Sequence, residues 1–60
     1  MKFHIVAAKD QTQAVHLTAD NPIEAIRKAD ELKEQGANGV TIIDPDGHLY
    51  TIAGLRLIVR

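Results

Sequence analysis

Apolar and polar positions alternate through residues 2–9: Phe3, Ile5 and Ala7 fall on one face, and Lys2, His4, Val6 and Ala8 on the other. The alternation resumes over residues 13–18, with Val15 and Leu17 opposed to Ala14, His16 and Thr18. The polar run Lys9-Asp10-Gln11-Thr12 between them reads as a turn. A hairpin centred near Asp10 sets Phe3 opposite Leu17 and Ile5 opposite Val15, which makes one face uniformly apolar. In that register His4 and His16 are direct cross-strand neighbours on the other face.

The period then changes from two to 3.6, and the pattern predicts a helix over 22–35. Asn21 suits the cap, Pro22 the first helical position and Glu24 the acidic position of a capping box. At about 100° per residue, Pro22, Ala25, Ile26, Ala29 and Leu32 share an arc of roughly 120°. The alanines in that arc imply close approach to a sheet. Glu24–Lys28 and Arg27–Glu31 are favourable four-residue pairs on the outer side. Gly36 supplies the left-handed position that ends the helix.

Beyond a turn at Asn38-Gly39, the β-branched run 40–43 predicts a third strand. Asp44-Pro45-Asp46-Gly47 predicts a type I turn with a bulge, and residues 48–53 return as a fourth strand that Gly54 interrupts. Residues 55–60 are open to three readings: a strand continuation, a short helix, or a tail ordered only by a partner. The fold class is therefore α+β, in the order β-β-α-β-β. One helix lies on one face of a four-stranded, mainly antiparallel sheet, and residues 1–60 form a single domain. Strand order 2-1-3-4 is preferred, because it makes every neighbour antiparallel; a third strand beside the second would form a parallel pair.

Composition narrows the chemistry. Sixty residues without a cysteine have no disulfide to support a small core, and three histidines without a thiolate make a poor structural-zinc set. Seven basic against eight acidic residues argue against a phosphate-binding surface. The early apolar stretch Ile5-Val6-Ala7-Ala8 is too short for a signal-peptide core or a membrane span, so a cytoplasmic chain is expected. Serine is absent as well as cysteine, which removes the two commonest nucleophiles.

Each remaining candidate site has a plainer reading. His4 and His16 together suggest a metal or proton site, but nothing in the sequence adds a third ligand, so solvent-facing strand residues are the preferred reading. The Asp44–Gly47 stretch lacks the bidentate glutamate of a calcium loop, since Ala53 stands there, and reads as a turn. Gly36-Ala37-Asn38-Gly39 has the spacing of a nucleic-acid clamp without its charge, and reads as cap plus turn. Arg56 and Arg60, with Lys2 and Lys9, make at most a small basic patch. Neither a catalytic residue, a metal site nor a cofactor is expected.

The segment Thr18–Leu32, Gly36 and the Val40–Gly47 hairpin resemble the small bacterial DUF2188-type proteins, with a "T…EAI..A.EL…G" helix followed by "V.I.D.DG". That resemblance implies the fold and no catalytic residues. Residues 1–10 and the Glu24-Ala25-Ile26 helix start also resemble the N-terminal domain of HicB-type antitoxins.

One helix covers only one face of a sheet. Val6 and Ile43 lie on the other face, and Leu57, Ile58 and Val59 follow in an apolar end segment. A mixed apolar surface of this kind marks association, unless the end segment folds back over it. The expectation is a non-enzymatic interaction domain that forms homodimers through the outer sheet face (Val6, Ile43) or through the end segment (Leu57, Ile58, Val59). Its alternative is a nucleic-acid-associated or antitoxin-like module; nucleic-acid binding is the less favoured of the two, and no membrane partner is expected.

Overall fold

In the computed structural model, which describes residues 2–9 and 13–59, two strands come first: β1 (Phe3–Ala8) and β2 (Ala14–Ala19). They are followed by α1 (Pro22–Glu34), β3 (Asn38–Ile43), β4 (Leu49–Tyr50) and α2 (Ile52–Ile58). The sheet has the expected order β2-β1-β3-β4, and every neighbouring pair is antiparallel.

The first hairpin keeps its faces but changes its register. Ile5 pairs with Leu17, Ala7 with Val15 and Phe3 with Ala19. Expectation had placed Phe3 against Leu17 and Ile5 against Val15. A slip of two residues leaves every side chain on its original face, so the apolar pattern cannot distinguish the two registers. The Lys9 amide donates to the Gln13 carbonyl at 3.0 Å, which closes a longer connection than one centred on Asp10. Residues 10–12 of the expected turn lie outside the described part. The new register sets the largest side chain of β1 against an alanine and buries Ala19 to 2 % exposure.

Helix α1 follows its local signals. The Asn21 side chain accepts from the Glu24 amide at 2.8 Å, Pro22 opens the helix, and Ala25, Ala29 and Leu32 are buried. At the other end, Gly36 adopts φ +92° and donates to the Lys33 carbonyl, while Ala37 donates to the Leu32 carbonyl. These two bonds form a Schellman motif, which satisfies the last carbonyls and turns the chain toward the sheet.

Asn38-Gly39 is a bulge inside β3, where a turn was expected. Val6 pairs with Thr41 and Ala8 with Asn38, so the single residue Ala7 of β1 stands opposite two of β3, Gly39 and Val40. Gly39, at φ +62°, absorbs the extra residue.

The end of the chain departs furthest from expectation. The fourth strand covers only Leu49–Tyr50 instead of 48–53, and residues 52–58 are helical. The Thr51 side chain accepts from the Gly54 amide at 3.0 Å and so caps α2. A Cβ on Gly54 would stand 3.0 Å from that hydroxyl oxygen, so the glycine expected to break a strand leaves room for a helix cap. Leu55 is buried, Ile52 and Val59 pack against the core, and Arg56 pairs with Asp30 of α1. The described part of the 55–60 segment is thus ordered within the chain, and Arg60 lies outside the described residues.

Both helices lie on the same side of the sheet. The core beneath them consists of Ile5, Ala7, Ala19, Ala25, Ala29, Leu32, Ala37, Ile42 and Leu55. Five of these nine are alanines, so close helix–sheet approach is achieved with little large-side-chain burial.

Candidate functional site

Because both helices occupy one side, no described element covers the other. The strand pairings lay out that outer face in two rows. Thr18, His4, Ile43 and Leu49 form one, and His16, Val6 and Thr41 the other, with Ala14 beside Ala8 at the end. None of these strand positions carries a carboxylate, an ammonium or a guanidinium. Leu49 is 68 % exposed, while Val6, Ile43 and Thr41 are half-buried.

The expected association residues separate into three settings. Val6 and Ile43 are diagonal neighbours on the outer face. Leu57 and Ile58 project from α2, on the helix side, at 77 % and 64 % exposure. Val59 packs against the core. Leu49, which joins Val6 and Ile43 on the outer face, went unnoticed in the sequence reading; its alternation with inward-facing Tyr50 was the available signal.

His4 and His16 meet, though not as direct partners. His4 pairs with Thr18 and His16 with Val6, so the histidines are diagonal. The Nδ1 of His4 lies 2.8 Å from the Nε2 of His16, with ring centroids 5.0 Å apart and planes inclined by 12°. Stacked rings keep their atoms about 3.5 Å apart. The shorter N–N distance therefore places these rings edge to edge, joined by an N–H···N bond. His4 is half-buried and His16 exposed.

A second polar cluster forms around the β3–β4 turn. Asp44 Oδ1 accepts from the backbone amides of Asp46 (2.9 Å) and His48 (2.7 Å). Its Oδ2 lies 3.1 Å from His48 Nδ1 and accepts from the Tyr50 hydroxyl at 3.2 Å. Burial raises the pKa of the Asp44 carboxyl, but the His48 amide, the His48 ring and the Tyr50 hydroxyl outweigh it and hold the group below its ordinary value. Burial, followed by the Asp44 carboxylate, raises the Tyr50 phenol. Asp44, Asp46 and His48 bring three ligand atoms within 4.8 Å of one another. Both Asp44 oxygens are already occupied by hydrogen bonds within the turn and its flanks.

Beside the bulge, an open cleft of about 310 Å³ lies between the end of α1 and the start of α2, lined in part by Lys33, Asn38, Val40, Thr51 and Ile52. Among the described residues, no acid or histidine lines it. Among the described residues, no helix is long and apolar enough to cross a membrane. Of the basic residues noted in the sequence, Arg56 is engaged by Asp30. The chain matches no protein-family model, no curated protein and no solved structure.

Proposed function

We propose that this chain is a non-enzymatic interaction domain that pairs with a second copy of itself through the outer sheet face. The observation that carries this reading is the placement of both helices on one side, which leaves the Val6–Ile43–Leu49 surface without a cover among the described residues. A second copy fits because the strand positions of the face carry no carboxylate, ammonium or guanidinium. Placing it against itself across a two-fold axis opposes no like charges of those kinds. The alanine-rich core supplies the energetic motive, since a domain of this size gains from any further apolar burial.

Area sets a demand on the geometry. A standard interface removes about 800 Å² per partner, roughly a fifth of the 4223 Å² that this chain exposes. The sheet face must therefore be engaged across most of its breadth, His4 and His16 included. Leu57 and Ile58 lie on the helix side and take no part in this pairing. The resemblance to DUF2188-type proteins is compatible with the proposal but rests on cap, helix face and turn alone.

Light scattering on a size-exclusion column tests the reading. Wild type is expected near twice 6.6 kDa at high concentration, Leu49→Glu near 6.6 kDa, and Leu57→Glu unchanged from wild type. A wild-type mass that stays monomeric at high concentration overturns the proposal, as does a dimer that Leu57→Glu separates and Leu49→Glu does not.

A further inference from the structure

The geometry points to a binding site for one late first-row divalent cation, of which Zn²⁺ is the natural probe, held between His4 Nδ1 and His16 Nε2. The site is formed within one chain, and the pairing proposed above, which engages His4 and His16, would cover it.

The two nitrogens come from adjacent strands of one sheet, so their backbones are fixed relative to each other by the β1–β2 ladder. They already converge to 2.8 Å. Two nitrogens at tetrahedral zinc distances of about 2.0–2.1 Å stand about 3.3 Å apart. Parting the nitrogens by about half an ångström, with each ring turning so that its lone pair points at the ion, makes room for it. Among the described residues, the hydrogen bonding of each ring is to the other, so no further partner has to be given up. Imidazole is a good ligand for zinc, copper and nickel, which sets the class of cation.

Proton balance permits the exchange. In the free pair one imidazole donates its N–H to the lone pair of the other. When the ion enters, that proton moves to the far nitrogen of the donor ring, and both facing nitrogens become electron-pair donors. The neutral pair thus binds the cation with no net proton release. In the unpaired chain water can fill the remaining coordination positions, because no described element covers the face.

The competing group at the β3–β4 turn is worse placed. Asp44 receives hydrogen bonds from Asp46, His48 and Tyr50, and a cation there would have to displace some of them. The imidazole pair gives up one N–H···N bond and gains two metal–nitrogen bonds.

Calorimetric titration with Zn²⁺ alone, paired with imidazole-detected NMR, tests the site. Wild type is expected to bind one ion per histidine pair, with the His4 and His16 ring signals shifting together. His16→Ala and His4→Ala should each weaken binding by at least about tenfold, while His48→Ala leaves it unchanged. Amide spectra without metal establish that each variant is folded, and His16 is exposed enough for its removal to be tolerated. The assignment is overturned if wild type does not bind, if His16→Ala binds as wild type does, or if only His48→Ala loses the ion.

Discussion

Asp44 organises the second hairpin much as Asn21 organises the start of α1: a side-chain oxygen accepts the backbone amides that the turn leaves unpaired. Its carboxyl is held below its ordinary pKa, which links the turn to pH. A depressed folded-state pKa contributes stability above the unfolded-state value, and that contribution is lost as pH falls through the folded-state value. Asp44→Asn keeps one acceptor oxygen and removes the charge. Its melting temperature should fall below that of wild type near neutral pH, with the gap closing as the pH drops below about 4. A gap that stays constant to the acid limit would show that the charge plays no part. The histidine contact belongs to the same scale and was illegible in the sequence. Alternation placed His4 and His16 on one face, but their 2.8 Å approach depends on the diagonal relation that only the true register creates.

Among the elements, α1 was legible because its cap, buried arc and stop are all local. Asn21→Ala removes the cap bond to Glu24 and should cost about 1 kcal/mol, a fall in melting temperature of about 4–8 °C for so small a domain. Helix α2 was not legible in the same way. Its apolar residues suit a strand or a helix, and Gly54 looked like a break. What decides for the helix is the three-residue spacing of Thr51 and Gly54, which lets the hydroxyl cap the amide. The register of β1 and β2 was hidden for a different reason: two-residue slips preserve faces. If α2 belongs to the core as Leu55 implies, Leu55→Ala should cost about 2–5 kcal/mol. Chemical denaturation should then show a lowered midpoint with cooperative loss of the whole domain. Independent melting of α2 alone would contradict that placement.

At the scale of the whole molecule, the two helices and the sheet make a lopsided body: one side is filled by small side chains, and the other displays Val6, Ile43, Leu49 and the imidazole pair. Strand order was readable from the preference for antiparallel neighbours. The side taken by the end segment was not, because the sequence allowed it to cover either face. Its packing against α1 is what leaves the outer face open and makes pairing of two copies the central claim. A dilution series of amide NMR spectra tests that claim most directly. Concentration-dependent shifts clustered at Val6, Thr41, Ile43 and Leu49 are expected. Spectra that do not change with concentration, or shifts centred on Leu57 and Ile58, would contradict it.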